Sequence, residues 1–287
     1  MGTLGAIGPK GSIDLGHTTP DPVAIHATLQ TLAEDGVTHA AMEASSHGKA
    51  QYRLDAVRLS AVAFTNLTQD HLDYHNTMDE YRAAKLRLFS DLASRGGPAV
   101  VNADSDQKAA IDLPLIGEFQ ALNALTAAGL ALAGGLGLQD VATGMSQLKP
   151  VKGRLEYVGE TGAGAGVFVD YAHTPAGLDV LIRAARPHTA GQLVVVFGCG
   201  GDRDRGKRPL MGEVAAKPAD KVIVTGDNPR SEDPAAIRQD VLAGVPEGIE
   251  IGDRGTAIAQ AIAELQKGDT LLIAGKGHET GLIIGDS

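Results

Sequence analysis

Short runs of β-branched residues alternate along this chain with longer Ala- and Leu-rich stretches, and that alternation constrains its fold more than any other feature. Strands are expected at residues 37–42, 61–66, 99–102, 167–170, 193–197, 221–225 and 270–274. Helices are expected at 22–35, 78–94, 120–133, 175–186, 234–243 and 255–265. Strands that alternate with helices of this length predict βαβ units around mostly parallel sheets, the α/β class. Pro150 blocks continuation of a helical stretch, and a strand-rich pattern follows Arg154, so a boundary is expected near 149–153. Two α/β parts result, 1–149 and 150–287.

Composition narrows the function classes. Of 287 residues, 25 are Lys or Arg and 35 are Asp or Glu, a formal net charge of -10. That balance argues against a general nucleic-acid or membrane-surface binder. A single cysteine, Cys199, builds no disulfide framework and no cysteine zinc site, so a reducing cytosol is the expected compartment. The longest apolar stretch, 124–138, is broken by Gly129, Gly134, Gly135 and Gly137 and falls short of the roughly 20 residues of a membrane span. No basic segment followed by an apolar run opens the sequence, so no signal peptide is expected.

In the second part, each of four expected strands runs into a polar loop. Residues 193–197 lead into Gly198-Cys199-Gly200-Gly201-Asp202-Arg203-Asp204-Arg205-Gly206-Lys207-Arg208. The strand 221–225 leads into Gly226-Asp227-Asn228-Pro229-Arg230, and 270–274 into Gly275-Lys276-Gly277-His278-Glu279. The strand 167–170 ends in Tyr171-Ala172-His173-Thr174-Pro175. Open α/β sheets bind ligands outside the carboxyl ends of their strands, so these loops share one crevice if their strands are parallel neighbours. Arg203, Arg230, Lys207 and Lys276 suit carboxylates or phosphates, and Asp227 and Glu279 suit an ammonium. Taken singly, each loop reads as a solvated turn. The run from Gly198 lacks the third glycine of a dinucleotide fingerprint, which leaves a nicotinamide-dependent dehydrogenase only as runner-up.

In the first part, Glu43 stands at a strand end beside Ser45 and Ser46, and His71, Asp73 and His75 alternate. Hard cations such as Mg2+ take one or two carboxylates with phosphate oxygens and water, which makes Glu43 a candidate. The alternating His and Asp residues are equally at home in a turn. Lys85 reads as an ordinary helix lysine.

Taken together, these segments resemble the Mur ligases, the ATP-dependent amide-forming enzymes of peptidoglycan precursor synthesis, and in particular their diaminopimelate-adding members. The matching stretches are Thr18-Thr19-Pro20, Met42-Glu43-Ala44-Ser45-Ser46-His47, Asn66-Leu67-Thr68-Gln69-Asp70-His71, Ala83-Ala84-Lys85, Gly153-Arg154-Leu155-Glu156, Asp170-Tyr171-Ala172-His173-Thr174-Pro175, the Gly198–Arg208 loop, Asp227–Arg230 and Gly275–Glu279. The resemblance implies a truncated central ATPase-type domain followed by a Rossmann-like domain. It implies that Thr18, Thr19, Ser45, Gln51 and Arg53 hold UDP-N-acetylmuramoyl-L-alanyl-D-glutamate, and that Asn66, Asn123, Arg154 and Asp170 line the ATP site. Arg203, Asp227, Asn228, Pro229, Arg230, Gly275 and Glu279 would bind meso-diaminopimelate. Glu43 and His71 would bind Mg2+ together with Lys85, which would be carbamylated, and Lys85 and His173 would serve catalysis. ATP would phosphorylate the D-glutamate carboxylate, and the amine of the amino acid would then attack the acyl phosphate. A cytoplasmic monomer is expected, with no nucleic-acid partner and no membrane insertion.

The chain departs from the family in several places. No Gly-Lys pair is followed by Ser or Thr, so the family's phosphate loop is missing, as is its uridine-binding domain. Residues 105–112 stand where the family carries a long insert, and His17 replaces an Asn. These departures keep two alternatives open: a ligase that adds lysine, and a non-catalytic remnant that keeps only the amino-acid crevice.

Overall fold

The computed structural model describes residues 1–65, 74–75, 77–93, 99–101, 114–279, 281 and 283. Its chain forms two compact units. The first is built from described residues within Met1–Leu67, His71–Ala110 and Asn123–Met145, and the second from those within Ile111–Leu122 and Ser146–Ser287.

The first unit opens with an antiparallel hairpin of β1 (Ala6–Gly8) and β2 (Gly11–Ile13). Helix α1 (Pro22–Glu34) begins where the Asp21 carboxylate accepts from the N–H groups of Val23 and Ala24, with Pro22 in the first turn, where a missing N–H costs nothing. Its buried residues Ile25, Thr28 and Leu32 recur at helical spacing, and Ile25 packs with Leu54 and Val57 in the unit's small core. Helix α2 (Ser46–Ala50) is capped by the Ser45 hydroxyl, which accepts from Gly48 N at 3.1 Å. A βαβ unit follows: β3 (Val62–Phe64), α3 (Met78–Ala93) and β4 (Ala99–Val101), with β3 and β4 parallel. Helices α4 (Glu118–Ala133) and α5 (Leu138–Ser146) complete the elements before the second unit's sheet.

Two expectations need correction here. Residues 37–42 form no strand; the stretch meets Met1 instead, whose ammonium donates to Ala41 O and whose carbonyl accepts from Glu43 N. A β-branched run becomes a strand only where a neighbour supplies a matching ladder. The mostly parallel sheet expected for the first part is, among the described residues, a two-stranded parallel pair beside a two-stranded antiparallel one.

The second unit is a doubly wound sheet. Its elements run β5 (Glu156–Glu160), β6 (Gly166–Val169), α6 (Pro175–Ala185), a 3-10 turn at Arg186–His188, β7 (Leu193–Phe197), α7 (Lys207–Ala216), β8 (Lys221–Val224), α8 (Pro234–Leu242), β9 (Ile249–Glu250), α9 (Arg254–Glu264) and β10 (Thr270–Ile273). The six strands lie in the order β5-β6-β10-β7-β8-β9. All pairs are parallel except β5 with β6. Central strand β7 is buried at every position, as both faces of a parallel sheet require. Successive side chains point to opposite faces. Leu193, Val195 and Phe197 accordingly meet Leu178, Leu181 and Ile182 of α6 and Met211 of α7, whereas Val194 and Val196 meet Ala257 and Ala261 of α9. No helix of the described residues is long and apolar enough to cross a membrane.

Candidate functional site: the carboxyl ends of four adjacent strands

Strands β6, β10, β7 and β8 are consecutive neighbours and all parallel, so the four loops singled out by sequence leave the same edge of one sheet. Asp170 ends β6. Its carboxylate accepts from Leu155 N at 2.6 Å and Ala172 N at 2.7 Å, and its carbonyl accepts from the N–H groups of Gly275 and Gly277. One buried residue thereby ties the Gly153–Glu156 segment, the end of β6 and the loop after β10 together. Desolvation raises its carboxyl above the ordinary range, with the two backbone N–H bonds working against that shift.

The loops after β8 and β10 share a polar lattice. Asn228, which is buried, donates from Nδ2 to Glu279 Oε2 at 3.2 Å. The Lys276 ammonium donates to Asn228 Oδ1 at 2.9 Å, Glu279 Oε2 at 3.1 Å and Gly281 O at 2.7 Å, and stands 3.7 Å from Asp227 Oδ1. Burial acts to raise the Glu279 carboxyl, but the Lys276 bond and charge, together with Asn228 and Tyr171, outweigh it and hold it low. Tyr171 is pushed up by burial and by the charge of Glu279. Arg230 has a left-handed backbone, φ 51°, and donates from Nη1 to Gly201 O at 2.8 Å, which ties the loop after β8 to the loop after β7. Arg203 is exposed and donates to Asp202 O. His173 pairs through Nδ1 with Tyr171 O at 3.0 Å, Lys207 donates to His173 O, and the Arg154 guanidinium lies 4.7 Å from the Tyr171 ring centroid.

Two further arginines hold this edge, and neither was singled out by a role. Arg208, almost wholly buried, pairs with Glu232 at 2.8 Å and Asp240 at 2.9 Å. Arg254 opens α9 and donates to Ala274 O at 2.7 Å and Gly226 O at 3.4 Å, the residues that directly follow β10 and precede Asp227. Desolvation lowers its guanidinium below the ordinary value, with Asp227 and Glu279 opposing that shift. No spacing in the sequence marks either one. Lys276 was expected among the anion binders; its donors turn to oxygens of this chain.

The first unit gathers a second set. Thr19 Oγ1 donates to Glu43 O at 3.1 Å and accepts from Ser45 N at 3.0 Å, and Arg53 donates to Thr19 O at 2.6 Å. Arg53 also reaches Gln51 Oε1, and Gln51 donates to the Tyr74 hydroxyl at 3.1 Å. The Thr3 hydroxyl, unremarked in the sequence, stands 3.0 Å from that of Thr18 and donates to Glu43 Oε2 at 2.9 Å. Thr18, Thr19, Glu43, Ser45, Gln51 and Arg53 are therefore brought together. The Lys85 ammonium lies 5.0 Å from the Tyr81 ring centroid and 5.8 Å from that of Phe64. Among the described residues no group of three or more His, Cys, Asp or Glu is arranged to hold a metal. Of the residues expected at ATP, Asn123 is exposed on α4 in the first unit, and Arg154 and Asp170 belong to the second. Asn66 and His71 lie outside the described residues.

An open α/β sheet with charged loops at one edge, preceded by a βαβ-containing unit, matches a known arrangement. Residues 1–111 match the description "Mur ligase middle domain", and residues 153–277 match "Mur ligase, glutamate ligase domain". The chain belongs to the Mur ligase family, whose members are ATP-dependent amide-bond-forming ligases. The UDP-N-acetylmuramoyl-L-alanyl-D-glutamate--2,6-diaminopimelate ligase of Bradyrhizobium diazoefficiens is 49% identical over 335 positions, covering 99% of this chain and 69% of that protein. The ligase of the same name from Agrobacterium fabrum is 48% identical over 99% of this chain and 68% of its own length. Among solved structures, a ligase of that name superposes with a TM-score of 0.59 at 35% identity, covering 99% of this chain and 68% of the other. MurF from Acinetobacter baumannii, at 17% identity and a TM-score of 0.63 over 79% of this chain and 59% of its own, shares the fold. The Bradyrhizobium alignment runs over 335 positions and this chain has 287 residues, so that relative carries segments with no counterpart here.

Proposed function

We propose that this chain serves the ATP-dependent joining of meso-diaminopimelate to the D-glutamate carboxylate of UDP-N-acetylmuramoyl-L-alanyl-D-glutamate, in the cytoplasm and as a monomer. The observation that carries the reading is the lattice at the ends of β8 and β10. It sets a guanidinium, Arg230, on the same loop as Asp227 and Asn228 and links that loop to Glu279. An amino acid with a carboxylate and an ammonium at its far end needs this pairing of opposite charges. On this reading Arg203, Asp227, Asn228, Pro229, Arg230, Gly275 and Glu279 bind the amino acid. Thr18, Thr19, Ser45, Gln51 and Arg53 hold the muramoyl dipeptide, which the network around Thr19 supports. Asn66, Asn123, Arg154 and Asp170 line the nucleotide site, and the parts 1–149 and 150–287 divide the work between nucleotide with dipeptide and amino acid.

ATP phosphorylates the D-glutamate carboxylate, and the free amine then displaces phosphate to form the amide. Lys85 and His173 are the proposed catalytic residues. Mg2+ would be held by Glu43, whose Thr3 and Thr18 neighbours are hard oxygen donors of the kind it takes, with His71 and a carbamylated Lys85 beside it. Bound there, it would neutralise phosphate charge.

Arg230→Ala tests the reading. A charge-assisted pair is worth about 1.5–3 kcal/mol, so meso-diaminopimelate use should weaken by roughly 10- to 100-fold with ATP use nearly unchanged. Equal losses for both substrates in a steady-state assay would remove the assignment. Competition with lysine in the same assay decides between the two amino acids. Binding of meso-diaminopimelate without dipeptide-dependent ADP release would confine the reading to amino-acid binding.

A further inference from the structure

Lys276 occupies a place in the crevice that the reading above does not use. Its side chain is only 11% exposed, and Asp227, at 10%, is equally withdrawn from water. The ammonium meets Asn228 Oδ1, Glu279 Oε2 and Gly281 O within hydrogen-bond distance, with Asp227 Oδ1 at 3.7 Å. An ammonium has three donors, and here three oxygens take them. Asp227 and Glu279 are also the carboxylates that a ligand ammonium would seek. The cations nearest the lattice are Arg254, whose charge is felt by both carboxylates, and Arg230, bonded to Asn228 O at 3.4 Å. Against two carboxylates, Lys276, Arg254 and Arg230 leave this group with an excess of positive charge.

We propose that Lys276 determines amino-acid specificity: its ammonium stands where a lone ligand ammonium would bind, so the crevice rejects a side chain ending in ammonium alone and accepts one ending in ammonium and carboxylate together. The inference rests on the amino-acid-binding role proposed for this crevice. A lysine side chain brings only positive charge to a positive group of residues. The far end of meso-diaminopimelate is a zwitterion, whose carboxylate meets the excess charge. Rejection by like charge is a common source of specificity, and its strength grows where water is excluded.

Calorimetric titration of meso-diaminopimelate and of L-lysine into wild type, Lys276→Gln and Lys276→Arg tests this without requiring turnover. Lys276→Gln is expected to tighten lysine binding about tenfold relative to meso-diaminopimelate, and Lys276→Arg to keep the wild-type preference. Equal weakening of both ligands in Lys276→Gln would mean a structural tie and would overturn the proposal, as would an unchanged lysine affinity. Wild type alone supplies a second reading that needs no variant to fold. Added salt screens repulsion, so lysine affinity should rise with ionic strength, and a fall would overturn the role of Lys276. If wild type binds neither amino acid, the function reading itself is overturned, an outcome distinct from the others.

Discussion

At 1% exposure, Arg208 is a cation taken almost wholly out of water, and its partners explain why it is tolerated there. Its guanidinium meets Glu232, Asp240 and the carbonyl of Gly200. Glu232 in turn accepts from Asp202 N at 2.6 Å, and Asp202 accepts from the Ser231 hydroxyl at 2.7 Å. One buried charge thus fastens the loop after β7 to the loop after β8, where Arg230 sits. Removing one member of such a pair strands the others, so Arg208→Met should cost roughly 3 kcal/mol in urea unfolding, with Asp240 half exposed and able to rehydrate. A loss below about 0.5 kcal/mol, typical of a surface site, would contradict that account. Arg208 was not legible in the sequence as anything special. It is one cation in a run with Arg203, Arg205 and Lys207, and only the packing of α7 decides which of them is buried.

The strands whose ends carry the crevice were the easiest elements to read. β7 and β8 are unbroken apolar runs closed by glycine, because a strand covered on both faces tolerates little else. Helix α7 was not foreseen. Pro209 lies in its first turn, where the lost N–H would have had no helical partner, so the proline does not break it. Short strands β5 and β9 were also missed, β9 being two residues long and held by its neighbour alone. A turn packed against a turn is equally invisible from sequence. Gly153 has φ 68°, and a methyl group there would lie 2.5 Å from His278 N. Gly162 has open space around its Cα and an ordinary φ. Gly153→Ala should therefore lower stability by at least about 2 kcal/mol, and Gly162→Ala should shift it by no more than about 0.5 kcal/mol. Equal shifts in thermal unfolding would show that the Gly153 contact carries no strain.

For the whole molecule, the carboxylates set the response to acid. Asp202, Asp220, Glu232, Asp253, Glu264 and Glu279 in the second unit, and Asp21 in the first, are held below their ordinary values in the fold. Each contributes stability that is present above its unfolded value and is lost as pH falls through the folded one. Asp170 has the opposite sign: its raised value favours the fold most at low pH and gives that up as pH rises through the folded value. The lowered groups outnumber it, so the unfolding midpoint should be steady near neutrality and drop once pH falls below about 4. A midpoint that rises on acidification would mean that Asp170 dominates.

The sequence by itself determined the α/β class, the order of most elements and the loops that carry charge, because hydrophobic period and Gly or Pro punctuation are local properties. It marked Asp227, Asn228, Arg230 and Glu279 through motifs, and those residues do share one sheet edge. Only the tertiary structure decided that 37–42 finds no ladder, that Arg208 and Arg254 are the cations drawn inward, and that the Lys276 ammonium turns to oxygens of its own chain. The reason is common to all three. Pairing, burial and the partner of a charge depend on residues distant along the chain, such as Asn228 and Lys276, which the fold brings to 2.9 Å.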